Sequence, residues 1–196
     1  MQSARASANH IADPDSDVLD LVAKGDMKGA LRQLMQRYGG AVYRYCRQEL
    51  HDGTLADDVH QQVFLHAHRD LARFSRRSTV KTWLFAIARN RVLDAVKSRR
   101  RAQAHIDSDD ATAVADLHPS AGERIDERRL HEALALCFER QPDHVRMALL
   151  MRYQQGFTFE DMAEMCGEKP GTLQAQVSRA LLALRDCIVR RTGGAL

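Results

Sequence analysis

Between Lys81 and Val96, apolar residues return every three or four positions: Leu84, Ile87, Ala88, Val92, Ala95 and Val96. That is the period of a helix with one buried face. The same spacing runs through most of the chain. Asp15 and Ser16 stand where they would cap a first helix carrying Val18, Leu19, Leu21 and Val22, and Gly25-Asp26 ends it. A second helix is expected from about Met27 to Leu50 on Ala30, Leu31, Leu34, Tyr38, Val42 and Tyr45, with a bend at Gly39-Gly40. His51-Asp52-Gly53 reads as a turn. A third helix, about Leu55 to Leu71, then directs Leu55, Val59, Val63, Ala67 and Leu71 inward.

From Ala102 to Glu123 the periodicity stops. Asp107, Asp109, Asp110, Asp116 and Glu123 stand there with no Lys or Arg, beside Pro119, Ser120 and Gly122. Such a stretch lacks the apolar content to pack and reads as a flexible acidic linker. Its roughly 22 residues would reach on the order of 70–80 Å when extended. Beyond it the helical period resumes. One helix carries Leu130, Ala133, Leu134 and Cys137, and Gln141-Pro142-Asp143 opens another with Val145, Leu149 and Leu150 inside. After Gln155-Gly156, Thr158 with Asp161 three residues on makes a capping-box pattern for a short helix bearing Met162, Ala163 and Met165. A turn over Cys166 to Gly171 leads to a last helix from Thr172, with Leu173, Val177, Ala180, Leu181, Leu184 and Ile188 on one face. A short capped helix, a Gly-containing turn and a longer amphipathic helix describe a helix-turn-helix. The expected organisation is a tail over 1–14, one domain over 15–101, a linker over 102–123, a second domain over 124–191 and a short tail over 192–196.

Composition sharpens this picture. Ala, Leu, Arg and Met are plentiful and aromatic residues make up 6% of the chain, a balance that favours an all-α protein. No apolar run approaches a membrane span. The opening MQSARASANHIADPDSD lacks the apolar centre of a secretory signal and reads as a frayed tail.

Net charge is only +3, yet Phe74 to Arg101 holds Arg76, Arg77, Lys81, Arg89, Arg91, Lys97, Arg99, Arg100 and Arg101 against the single acid Asp94, and contains the one tryptophan, Trp83. On an unbroken helix Arg89, Asn90, Lys97 and Arg100 lie opposite the apolar stripe. Arg91 falls beside it, so either the helix distorts near Asn90 or that side chain reaches around. A helix with one buried face and one cationic face, entered through a basic loop, suits a polyanion running past it. The plainer reading of a charge run is a solvated face.

Cys46, Cys137, Cys166 and Cys187 are dispersed and form no CxxC. They read as reduced thiols of a cytosolic protein, in the core or near the surface. His60, His66 and His68 share a segment, but positions 66 and 68 face apart on a helix, so neither a metal site nor a cofactor is expected. No catalytic nucleophile order, Gly-rich phosphate loop or paired-carboxylate motif stands out.

These segments together resemble the extracytoplasmic-function group of bacterial sigma factors, the smallest members of the sigma-70 family. Lys24-Gly25-Asp26 followed by Ala30, Leu34 and Tyr38 is similar to the opening of sigma region 2. ADDVHQQVF (Ala56 to Phe64) resembles the core-binding helix A-E-D-L-V-Q-E-V-F, and TWLFAIARN (Thr82 to Asn90) resembles T-W-L-x-x-I-A-x-N. Pro142, Arg146, Tyr153, Gly156, Thr158, Glu160, Ala163 and Gly167 stand at region 4 spacings, and Gly171-Thr172 with Arg179-Ala180 matches its recognition helix. The chain departs from the pattern at Gln62, usually glutamate, at His68, usually tryptophan, and at Gln174-Ala175-Gln176, where a basic residue, serine and arginine are usual.

The resemblance implies a protein that is not itself an enzyme, and that binds core RNA polymerase and directs promoter-specific initiation. It implies contacts with the β′ coiled-coil through Asp57, Asp58, Gln61 and Gln62, and with the β flap. It implies reading of the −10 element by Phe74, Arg76, Arg77, Ser78, Lys81, Arg89, Asn90 and Arg91. Reading of the −35 element is implied for Lys169, Thr172, Gln174, Gln176 and Arg179. Trp83 is read as core rather than as a stacking residue. A cytoplasmic location, no membrane insertion and control by an anti-sigma factor follow from the same resemblance. Two other binding classes stay open at this level: a sigma mimic that sequesters an anti-sigma factor without touching DNA, and an ordinary helix-turn-helix repressor.

Overall fold

The structure, a computed structural model, describes residues 14–104 and 125–193. The expected N-terminal tail and nearly all of the acidic linker lie outside the described residues. Among the described residues there are eight α-helices and no strand: α1 (Ser16–Ala23), α2 (Met27–Leu50), α3 (Gly53–Asp70), α4 (Val80–Ala104), α5 (Ile125–Glu139), α6 (Asp143–Leu149), α7 (Phe159–Cys166) and α8 (Pro170–Thr192).

The first four helices pack round one core. Val18, Leu34, Val42, Tyr45, Val59, Val63, Leu71, Leu84 and Val92 are buried, each fully buried aliphatic being worth about 1.5–3 kcal/mol. Asp26 caps α2 by accepting from the Gly29 N–H at 2.8 Å. A Cβ on Gly29 would sit 2.2 Å from the Asp26 carboxylate, so any other residue there would make that side chain shift. Gly39 and Gly40 do not break α2, which runs through them without interruption.

Asp15 does not cap α1 with its side chain. Its buried carboxylate instead accepts from the Tyr38 hydroxyl at 2.8 Å and from Arg37 at 2.7 Å. Charge-assisted bonds of this kind outweigh a single backbone N–H. Arg37 also bonds Asp17 and holds that carboxyl below its ordinary value. The distortion considered near Asn90 is absent from α4. Arg91 reaches round to Asp94 at 3.1 Å.

In the second unit, Thr158 and Asp161 form the full capping box, with Thr158 Oγ1 accepting from Asp161 N–H at 3.1 Å and Asp161 accepting from Thr158 N–H at 3.0 Å. Gly167 ends α7 at φ 72°, a left-handed conformation that favours glycine, and starts the turn into α8. Met147, Met151, Met162, Leu173 and Val177 fill the core of this unit. Leu134 and Leu181, expected inside, are exposed, because α5 and α8 meet along neighbouring positions.

The thiols need a larger correction. Cys137 on α5 and Cys187 on α8 form a disulfide, and only Cys46 and Cys166 are free. A separation of 50 residues carries no local signal. The pairing exists because α8 folds back along α5.

The two units also share a junction, which neither periodicity nor spacing announces. α4 packs on α7, and α2 touches α6. Consequently α4 is covered on two sides: Leu84, Ala88 and Val92 follow the expected stripe, while Thr82 and Phe85 are buried as well.

Candidate nucleic-acid interface

Four exposed polar side chains, Asp57, Asp58, Gln61 and Gln62, line the outer edge of α3, because Ala56, Val59 and Val63 take the inner one. Next to them is Leu65, 61% exposed. Sequence reasoning passed over it, although its place one turn beyond Gln61 was the available signal. Asp57 hydrogen-bonds the Tyr43 phenol and raises its pKa. His60 serves the fold, with Nε2 3.2 Å from the Gly39 carbonyl and its ring against Tyr43 and Phe64. Among the described residues no cluster of three metal-ligating side chains occurs.

The basic loop begins where the chain leaves the short 3-10 turn Leu71–Arg73. Arg76 takes φ 55°, which bends the loop sharply before Thr79, whose Oγ1 accepts from the Thr82 N–H at 3.0 Å and opens α4. Phe74 and Trp83 lie with ring centroids 5.3 Å apart. They wall a cavity of about 300 Å³ that Arg73, Ser75, Arg77, Ser78, Thr82 and Ala86 also line. Trp83 is thus half-buried at a cavity wall rather than sealed in the core. Its contact with Phe74, nine residues away, was not legible in the helical period. Arg76, Arg77 and Asn90 are exposed, and Ser78, Arg89 and Arg91 half-buried.

The far wall of that cavity belongs to α7, through Glu164 and Met165. Beside it the Lys81 ammonium donates to the Gln155 carbonyl and lies 4.6 Å from the Phe157 ring centre. Thr82 Oγ1 donates to Asp161 at 3.1 Å. The start of α4 therefore faces the second unit, while Ser75, Arg76 and Arg77 of the loop stay exposed to solvent. The start of α8 is free by comparison. Lys169, Thr172, Gln174 and Arg179 are exposed, and Gln176 is half-buried.

A second polar cluster closes the opposite end of the junction. Glu49, fully buried, has no hydrogen-bond partner on either carboxylate oxygen, and the nearest guanidinium, that of Arg146, stands 4.0 Å away. Burial raises its pKa to about 8, against the pull of Arg146. Asp143 binds Arg146 at 3.2 Å and also pairs with Arg100 of α4. His51 Nε2 lies 3.1 Å from Glu139 without hydrogen-bond alignment, and burial lowers its pKa. Burial acts on the free thiols in the same way, pushing Cys46 up to about 12 and raising Cys166, which disfavours the nucleophilic thiolate.

Comparison with known families settles what this architecture is. Residues 34–102 match the family model of sigma-70 region 2 and residues 130–184 that of sigma-70 region 4. The sigma factor SigM of Mycobacterium tuberculosis is 30% identical over 166 residues, covering 85% of this chain and 80% of the relative. The chain belongs to the extracytoplasmic-function sigma factors. CarQ of Myxococcus xanthus, an RNA polymerase sigma factor, is 27% identical over 159 residues, 81% of this chain and 89% of that one.

Two solved structures share the fold of this sigma factor. They are RpoE of Bartonella quintana, solved with the anti-sigma factor NepR (TM-score 0.68, 24% identity, 80% of this chain and 95% of that chain), and CnrH, solved with the cytosolic domain of CnrY (TM-score 0.64, 21% identity, 88% and 95%). The region 2 match spans most of α2 and all of α3 and α4 as far as Ala102. The region 4 match spans α5 to the middle of α8. As a sigma factor the protein directs RNA polymerase in transcription initiation. Among the described residues no helix is long and apolar enough to cross a membrane.

Proposed function

We propose that the two units divide promoter recognition between them. Asp57, Asp58, Gln61 and Gln62, with Leu65 one turn beyond them, dock on the β′ coiled-coil of core polymerase. Acids on such an edge steer encounter with a basic partner and set its register. The Phe74 to Ser78 loop holds an unstacked non-template base of the −10 element, while Lys81, Arg89, Asn90 and Arg91 meet the neighbouring strand or phosphates. Lys169, Thr172, Gln174, Gln176 and Arg179, on the first turns of α8, meet the −35 element, and the rest of the region 4 unit faces the β flap. The observation that carries this reading is the Phe74–Trp83 ring pair, 5.3 Å between centroids, with Arg73 and Arg77 lining the same cavity: an aromatic pair flanked by cations suits a base and its phosphate.

The protein performs no chemistry of its own and works in the cytoplasm, where core polymerase is. An anti-sigma factor controls it, as the complexes of RpoE with NepR and of CnrH with CnrY support. Selection of promoter fragments from a random pool by reconstituted holoenzyme tests the assignment. Arg77→Ala and Ser78→Ala should change base preference at −10 and weaken strand opening seen by permanganate. Unchanged preference would place the pocket elsewhere, and no salt-dependent promoter binding with core present would identify an anti-sigma decoy instead.

A further inference from the structure

Small-molecule pockets form most readily where two packed units meet. The cavity of about 300 Å³ beside the basic loop is such a place, lined by Arg73, Phe74, Arg77 and Trp83 of region 2 and by Glu164 and Met165 of α7. Three chemistries converge there. Phe74 and Trp83 pack ring against ring, 5.3 Å between centroids, and offer an aromatic surface. Arg73 and Arg77 bring two guanidinium groups and Glu164 a carboxylate. Opposite charges lining one small cavity would ordinarily pair. Yet among the described residues none of these three makes an ion pair or a hydrogen bond. Lys81 and Thr82, at the start of α4, are by contrast engaged with Gln155 and Asp161. The separation of charge leaves room for a ligand that is anionic at one end and donates hydrogen bonds at the other.

From this arrangement we infer that the cavity is a binding site for a free guanine nucleotide. The base stacks on the Phe74–Trp83 pair, a contact that every base can make. The phosphates meet Arg73 and Arg77, whose guanidinium groups grip phosphate oxygens in bidentate fashion. Glu164 supplies the selectivity. An ionised carboxylate only accepts hydrogen bonds. Guanine presents two adjacent donors to its two oxygens, N1–H and the N2 amino group. Adenine and cytosine carry an acceptor beside the amino group, and uracil an acceptor on each side of its one N–H, so each would set an acceptor against the carboxylate. The aromatic pair and the two arginines are also the groups assigned to the −10 base, so a bound nucleotide and the −10 strand exclude one another. Nucleotide binding stands on the cavity itself, and only the exclusion of DNA rests on the −10 assignment.

Trp83 is the one tryptophan of the chain, so its fluorescence reports occupancy of the cavity directly. The full chain is titrated at low salt with GDP, ADP, CDP and UDP, and the half-saturating concentration of each is read. GDP should half-saturate at least about tenfold below the other three, the worth of one charge-assisted pair. Glu164→Gln should remove that preference and bring GDP to the ADP value. Arg73→Ala combined with Arg77→Ala should weaken GDP and ADP alike, by at least about fivefold. All three side chains are exposed, so these variants keep the fold. No saturable response to GDP in the wild type, or equal values for GDP and ADP, overturns the site. So does a preference that survives Glu164→Gln, or undiminished binding by the arginine variant. Displacement by GDP of a fluorescein-labelled mixed-sequence single-stranded oligonucleotide then tests exclusion. A wild type that prefers GDP yet keeps the oligonucleotide bound would show that the −10 strand lies elsewhere, a failure of the −10 assignment and not of the nucleotide site.

Discussion

The ring of Phe157 meets that of Phe85 edge-on, with centroids 5.1 Å apart and an interplanar angle of 67°. One ring belongs to region 4 and the other to region 2, so the pair couples the folding of two units that the sequence presents as separate. Phe85→Ala and Phe157→Ala should therefore be non-additive in chemical denaturation. A double-mutant cycle should return about 0.5–1.5 kcal/mol of coupling, the range for such aromatic pairs. Additive effects would mean that the units unfold independently.

Packing of region 4 against region 2 should depend on pH through Glu49. Its ordinary value of 4.5 is raised to about 8 by burial, so the packed arrangement holds a proton that an exposed carboxylate would release. The contribution is complete below about 4.5 and is lost as pH rises towards 8. Arg146, Asp143 and Glu139 face Glu49 from α6 and α5. His51, beside Glu139 and Arg99, has its pKa lowered and works in the opposite sense as pH falls. Small-angle scattering between pH 5.5 and 8.5 should show a radius of gyration that grows with pH from about 16–18 Å, the range for a compact chain of this length. Glu49→Gln, neutral at every pH, should remove the growth above pH 6.5. Growth identical to wild type would exclude Glu49 as its source.

The disulfide makes a separate prediction. Closing a loop of 50 residues is worth about 4 kcal/mol in the chain-entropy model. Reduction should lower the thermal midpoint of region 4, and Cys187→Ser should reproduce the shift and abolish the effect of reductant. Oxidised, denatured wild type should titrate as two thiols, those of Cys46 and Cys166. A count of four would refute the pairing.

On α3, Asp58→Arg should reverse a contact with core polymerase and weaken binding without loss of fold, because Asp58 is exposed. Leu65→Asp should weaken it too, while Gln62→Glu should tighten it modestly. Pull-down of core polymerase by folded variants decides, and undiminished capture by Asp58→Arg would remove this edge from the interface.

At the −35 end, glutamine presents its amide in bidentate fashion to adenine where arginine prefers guanine, each such pair giving about 1–3 kcal/mol of discrimination. Gln174 is exposed and Gln176 half-buried, so Gln174 is the freer of the two to enter a groove. Sites selected from a random pool should shift towards guanine for Gln176→Arg. Identical sites for both proteins would show that Gln176 reads no base.

Much of this protein is decided within a few residues of itself. The helices α2, α3, α4 and α8 follow from apolar residues at three- and four-residue steps, and the capping box of α7 from Thr158 and Asp161. The outward edge of α3 and the exposed start of α8 follow from which positions the stripes leave over. Tertiary structure alone decided the rest. Asp15 gave up capping for Tyr38 and Arg37, more than twenty residues away. Cys137 met Cys187 because α5 and α8 pack side by side. Phe85 is buried between Tyr45 of α2 and Phe157 of the second unit, Thr82 bonds Asp161 of α7, and burial raises Glu49 beside Arg146 of α6. Periodicity reports one buried face per helix. A second face arises when two units meet across a linker, and such contacts depend on complementary surfaces that leave no period in the chain.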